Sequence, residues 1–222
     1  MLIALLASLL VTPATAEDTV TGTGTGTPRL RLFVLGDSIA GGSDQGGHGP
    51  HGWPALVAHR LGLALRLDGE GGTGYTTGGR QPGGRPYPRR ISEAIAAAPD
   101  SVIVEGSRND LAPARVRTAA VNSLRRLRAG LPHARILVIG PIYSDPRPVG
   151  SRPVDEAVAA AARTLGLPYL SPVRLGWFTG AAHRFIGRDG VHPTNAGHAY
   201  LAERIRPELS RLLHRGSASG GQ

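Results

Sequence analysis

Five short apolar runs, each bounded by Gly, Pro or Asp, alternate along this chain with segments whose apolar residues recur at helical spacing. The runs are Leu30 to Leu35, Ala64 to Leu67, Ser101 to Glu105, Arg135 to Ile139 and Pro168 to Leu170. Between them, residues 53–61, 90–98, 111–129 and 153–165 carry the helical period, and a last helix is predicted from about Pro193 to Leu213. Each parallel crossover needs a covering helix, so the alternation predicts a doubly wound parallel α/β sheet whose strands are buried. Sites in such sheets form beyond the carboxyl ends of the strands, which is where any motif must fall to matter. Residues 41–52 and 69–84 are Gly-rich, follow strands, and exceed ordinary βα loops, so they are expected to wall a site.

At 222 residues the chain holds one α/β domain, expected over 29–215. Residues 1–16 form a short apolar run ending in Ala14-Thr15-Ala16, the small-x-small pattern of a signal peptide cleaved near Ala16. The run is too short to span a bilayer and Pro13 interrupts it, so a secreted, extracellular protein without stable membrane insertion is expected. Residues 17–28 are a Thr/Gly linker and 216–222 a flexible tail. Without cysteine, neither disulfides nor thiolate metal sites can form.

All 25 basic residues are arginine, giving a formal charge of +9. They are scattered, which fits a GC-rich coding bias and at most weak attraction to anionic surfaces. Leu124, Leu127 and Leu131 continue an apolar face begun by Val116, Ala120 and Val121, while Arg125, Arg126 and Arg128 point largely away from it, as a solvated helix face does. No aromatic residues are interleaved with the arginines, so a nucleic-acid partner is not expected.

Gly36-Asp37-Ser38 follows the first run, which puts the Ser38 hydroxyl on a turn near a helix N-terminus. Asp-Ser is also an ordinary turn and N-cap pair, and a serine hydroxyl is inert at neutral pH without a base. Asp189-Gly190-Val191-His192-Pro193 supplies a base: a carboxylate three residues before an imidazole can orient it and leave its other nitrogen for serine. Pro193 is then expected to start the last helix. His198 competes as a metal ligand with Asp189 and His192, but i and i+6 share no helix face, and no metal is expected. Gly106-Ser107-Arg108-Asn109-Asp110 follows the third run; Asn109 either donates to a developing oxyanion or caps the helix beginning near Leu111. Gly71-Gly72-Thr73-Gly74 follows the second, where glycine lets a backbone N–H approach the same point.

The order GDSI, a Gly block, G-x-x-N-D and D-G-V-H-P resembles the GDSL/SGNH hydrolase family across residues 30 to about 205. That resemblance implies a three-layer, flavodoxin-like α/β/α sandwich and a serine esterase. It implies Ser38 as nucleophile, His192 as base and Asp189 as its orienter, with Ser38, Gly72 and Asn109 forming the oxyanion hole. Gly71 and Gly74 compete with Gly72 for this place, and G-S-R-N-D is one residue longer than the commonest G-x-N-D.

Acyl-enzyme chemistry of this kind needs no cofactor. The expected substrate is a small-molecule or polymer-linked ester, short-chain or acetyl, on a lipid or a carbohydrate, and the expected form is a monomer. A lipid substrate would want an apolar cleft, for which Trp53, Tyr75, Trp177 and Phe178 are the candidates. The competing reading is a catalytically silent, Arg-rich module that binds an anionic cell-surface polymer.

Overall fold

A computed structural model of the chain describes residues 29–79, 83–106, 108–143 and 152–214. The signal segment 1–16, the linker 17–28 and the tail 216–222 lie outside the described residues, as does Ser107.

Five parallel strands make one sheet in the order β2-β1-β3-β4-β5. They are β1 (Arg31–Gly36), β2 (Ala64–Gly69), β3 (Ser101–Glu105), β4 (Arg135–Ile139) and β5 (Tyr169–Leu170). The helices are α1 (Ser38–Gly41), α2 (Trp53–Leu61), α3 (Tyr87–Ala96), α4 (Pro113–Gly130), α5 (Arg152–Thr164) and α6 (Asn195–His214). Successive strand residues face opposite ways, and that alternation divides the core in two. Phe33, Leu35, Val102, Val104, Ile136 and Val138 meet α3, α4 and α5 on one face. Leu32, Val34, Ile103, Leu137 and Ile139 meet α1, α2 and α6 on the other. Each such buried side chain contributes roughly 1.5–3 kcal/mol. The three-layer α/β/α sandwich expected from the sequence is therefore the observed fold.

Several boundaries differ from those expected, and each difference has a local cause. β2 is not a buried strand: it forms the edge of the sheet, so Leu67 is 40% exposed. Helix α3 starts at Tyr87, three residues before the expected 90, because Pro88 sits in its first turn, where a missing N–H costs nothing, and Tyr87, Ile91 and Ala94 make its buried face. Helix α6 starts at Asn195, not at Pro193. The Thr194 hydroxyl accepts from the Gly197 N–H and acts as the N-cap, while Pro193 pairs with Ile186 in an antiparallel bridge.

Candidate active site

The site lies past the carboxyl ends of β1, β2 and β3, where the turns after Gly36, Gly69 and Glu105 converge. At the first of these, Asp37 is fully buried and its carboxylate accepts from the Ile39 N–H at 2.7 Å, capping α1. The capping reading of this Asp is therefore correct, and it is what lifts Ser38 onto the first helical residue. Glu105, at the end of β3, lies beneath this turn with its Oε2 3.4 Å from the Asp37 N–H. A Cβ at Gly36 would come within 2.8 Å of Glu105 Oε2, so only glycine fits there. Burial pushes the Glu105 carboxyl well above the usual carboxylate range, and the charge of Asp37 pushes it further.

The third turn carries Asn109 and Asp110. Asn109 Nδ2 donates to Asp37 Oδ2 at 3.2 Å and to the Thr73 carbonyl at 3.0 Å. It does not cap α4, whose N-cap position is Ala112 and has no side-chain bond, so the capping alternative for Asn109 is excluded. Asp110, fully buried, accepts from the N–H groups of Tyr75 (2.7 Å) and Thr76 (2.9 Å) and from the Thr76 hydroxyl (2.8 Å). These bonds fasten the Gly block to the Asn109 turn.

Within the Gly block the fold distinguishes the three glycines. Gly74 packs against Asp110, which a Cβ would approach to 2.6 Å, and its N–H is engaged by the Thr77 carbonyl. Gly71 and Gly72 line the cleft beside Ser38, and Gly72 has a φ of 73°, a conformation that favours glycine. The block is anchored from below by Arg90, which is fully buried. Its guanidinium pairs with Asp68 at 2.7 Å and donates to the Thr73 hydroxyl at 3.0 Å and the Gly36 carbonyl at 3.2 Å.

From the opposite side comes the Gly187–His192 turn, closed by Gly187 N–H to the His192 carbonyl at 2.8 Å. His192 Nε2 is 2.8 Å from Ser38 Oγ, and His192 Nδ1 is 2.6 Å from Asp189 Oδ2. Asp189 Oδ1 also accepts from the N–H groups of Val191 (2.9 Å) and His192 (3.0 Å). Burial alone would raise the Asp189 carboxyl, but these hydrogen bonds from His192 and Val191 outweigh it and bring the group down to about 2. A carboxylate that stays ionised beside one ring nitrogen leaves the other free to accept the Ser38 proton. Ser38, Asp189 and His192, read as a set from the sequence, are thus brought into hydrogen-bonding contact.

His198 is elsewhere. Its Nδ1 accepts from the Trp53 N–H at 3.3 Å, and its ring lies against Gly47, where a Cβ would come within 2.1 Å of it. Burial, helped by His192 and His48, lowers its pKa to about 4, which fits a neutral core histidine. The 41–52 loop therefore packs under α6 and does not line the cleft, contrary to expectation.

The cleft around Ser38 measures about 440 Å³ and is lined by Ser38, Gly71, Gly72, Arg108, Asn109, Val191 and His192. Trp53, Tyr75, Trp177 and Phe178, the candidates for an apolar wall in a lipid site, are all buried in the packing. A larger cleft of about 620 Å³, beside Tyr75, Pro88 and α4, contains no serine, histidine or carboxylate. Sequence reasoning missed Arg90, Glu105 and the purpose of Asp110. Signals for two of these existed: an Arg on the apolar face of α3, and a Glu closing the otherwise apolar strand VIVE.

Residues 34–200 match the GDSL-like lipase/acylhydrolase family. A GDSL lipase of Mycobacterium tuberculosis is 32% identical over 197 residues, which is 82% of this chain and 82% of that one. In fold, the chain resembles a lipase/acylhydrolase from Enterococcus faecalis (TM-score 0.66, 19% identity, 81% of this chain and 95% of that one). It also resembles Est24, a carbohydrate acetylesterase from Sinorhizobium meliloti (TM-score 0.65, 16% identity, 83% and 100%). A third likeness is to a family two carbohydrate esterase from Clostridium thermocellum (TM-score 0.66, 19% identity, 85% and 66%). With the family matched over residues 34–200 and a relative 32% identical over 82% of both chains, this chain belongs to the GDSL-like lipase/acylhydrolase family and is an ester-hydrolysing serine hydrolase.

Proposed function

We propose that the chain is a secreted esterase that cleaves short-chain or acetyl esters through an acyl-enzyme on Ser38. The observation that carries this reading is the continuous run of contacts from Ser38 Oγ to His192 Nε2 (2.8 Å) and from His192 Nδ1 to Asp189 (2.6 Å). His192 takes the Ser38 proton as the hydroxyl attacks the ester carbonyl, then gives it to the departing alcohol. Water, activated by the same imidazole, attacks the acyl-serine and releases the acid. Negative charge on the tetrahedral oxygen is met by the Ser38 and Gly72 N–H groups and by the Asn109 amide, which exchanges one of its bonds to Asp37 or Thr73 for the new one.

A short acyl group is favoured by the lining: Val191 is the one aliphatic side chain among the residues around the cleft. The carbohydrate esterases that share the fold make an acetylated sugar a reasonable substrate to try beside simple lipid esters. Secretion rests on the signal-like residues 1–16. Among the described residues no helix is long and apolar enough to cross a membrane. The deciding assay is hydrolysis of p-nitrophenyl acetate, butyrate and longer esters with acetylated sugars alongside, using Ser38→Ala as the blank. Turnover that falls with chain length is expected; wild-type rates equal to the blank on every ester would end the esterase reading. Mass analysis of protein exported by an expressing cell should find an N-terminus near Glu17, and an intact Met1 would remove the signal peptide.

A further inference from the structure

We propose that Arg108 is a specificity residue that binds an anionic group of the substrate, so that the preferred ester carries a carboxylate or phosphate near the bond being cleaved. This rests on the esterase reading and goes beyond it by naming the charge of the substrate. Of the residues that line the Ser38 cleft, Arg108 is the one with a permanent charge, and no carboxylate lines the cleft. Two arginines that flank the Gly block are neutralised: buried Arg90 pairs with Asp68, and half-buried Arg85 with Glu70 and Glu93. Arg108, also half-buried, forms no ion pair among the described residues.

Its position is nonetheless held. The guanidinium carbon lies 5.3 Å from the centre of the Tyr143 ring, Nη1 donates to the Val191 carbonyl at 3.4 Å, and the Tyr143 hydroxyl donates back to the Arg108 carbonyl at 3.3 Å. A guanidinium has five N–H donors in a planar fork, and these contacts use one of them. The group is therefore preset on an aromatic face, partly withdrawn from water, and still holds donors for a two-pronged bond to a carboxylate or phosphate.

The alternative is that Arg108 is only a strut between the Asn109 turn and the Val191-His192 turn. The two roles differ in what they do to selectivity. The test compares kcat/KM for 4-acetoxybenzoate and 4-acetoxyphenyl phosphate with that for neutral 4-acetoxybenzamide, which puts the anion on the alcohol half. Monomethyl succinate against methyl succinamate puts it on the acyl half. In the wild type at least one anionic ester should be preferred by roughly tenfold or more, the least a charge-assisted hydrogen bond supplies, with the difference in KM. Arg108→Gln should bring that ratio close to one, Arg108→Lys should retain part of it, and about 0.5 M NaCl should shrink it in the wild type alone. The pair that shows the preference identifies the half and the kind of anion.

A wild-type ratio near one for every pair overturns the proposal, as does a ratio that survives in Arg108→Gln, or losses in Arg108→Gln that are equal for charged and neutral esters. Should Arg108→Gln fail to fold, the Lys variant and the salt dependence decide. Failure of the esterase reading looks different: p-nitrophenyl acetate would then not be turned over at all, whereas a flat charge ratio with normal p-nitrophenyl acetate turnover rejects the anion proposal alone.

Discussion

The two halves of the site are built in opposite ways. The Ser38 half joins β1, β3, the Gly block and α3 through buried polar groups: Asp37, Glu105, Asp110 and Arg90 are all fully buried, and apart from the Asp37 cap on Ile39 the partners named above are 17 to 72 residues away. The His192 half is one turn at the surface, in which the side chains of Asp189 and His192 are 35% and 23% exposed and the bonds that the Asp189 carboxylate makes span at most three residues. A buried polar network fixes geometry but is expensive to disturb, because each orphaned group has lost its water. A short exposed turn holds its geometry by local hydrogen bonds and can be altered with little loss of stability. The comparison implies that substitutions in the His192 half show up in turnover, while those in the Ser38 half also lower the melting temperature.

The largest effect should come where the halves touch. Ser38→Ala and His192→Ala should each lower kcat by roughly 10⁴-fold or more, with the double variant scarcely worse than either, because groups that act as a unit are not additive. Losses that multiply would mean the 2.8 Å contact is not catalytic.

Asp189→Ala comes next. It should cut kcat by about 10³–10⁴-fold yet change unfolding free energy by less than about 1 kcal/mol, since solvent screens an exposed pair. Because its folded pKa is depressed to about 2, the stability it does add is present above its unfolded pKa of about 3.9 and is lost as the pH falls through about 2. A large drop in melting temperature at pH 7 would break the contrast between the halves.

Asn109→Ala tests the other side of the comparison, lowering kcat by roughly 10²–10³-fold with KM little changed. Unlike Asp189→Ala, it should also lower the melting temperature, because the Asp37 carboxylate loses a donor. Asn109→Asp should be worse in both, since it sets a second carboxylate where Asn109 now lies 3.2 Å from Asp37. An active, stable Asn109→Asp enzyme would take Asn109 out of the oxyanion hole.

Asp110→Ala touches no substrate, yet it should cost about 3 kcal/mol in denaturant unfolding by stranding the buried N–H of Tyr75 and the partly buried N–H of Thr76. Turnover should fall with it, as the Gly71-Gly72 wall loosens. A variant that is less active but equally stable would show that the anchoring is weaker than its three bonds imply.

The smallest effect is a slope. His198 is depressed to about 4, so the unfolded chain takes up its proton near pH 6.5 while the folded one does so only near pH 4. Its contribution is complete above 6.5 and is lost as the pH falls through that window. His198→Gln, which keeps an acceptor for the Trp53 N–H, should flatten the melting temperature between pH 6.5 and 4; an unchanged slope would assign the acid sensitivity to other groups.

By itself the sequence determined whatever depends on near neighbours. The strands β3 and β4 stand at the expected residues because a run such as VIV or ILV buries both of its faces wherever the sheet places it. The pairing of Asp189 with His192 was readable because three residues of turn bring the two side chains together in any fold that leaves the turn free. What tertiary structure decided is everything that depends on which strands are adjacent. The order β2-β1-β3 made β2 an exposed edge, brought Glu105 under Ser38, laid Asp110 against Gly74 and so left Gly71 and Gly72 to face the cleft. It also turned Arg108, one of 25 arginines indistinguishable in the sequence, toward that cleft without a carboxylate partner among the described residues. Periodicity and capping act over about four residues, whereas a buried charge finds its partner only when the sheet has assembled.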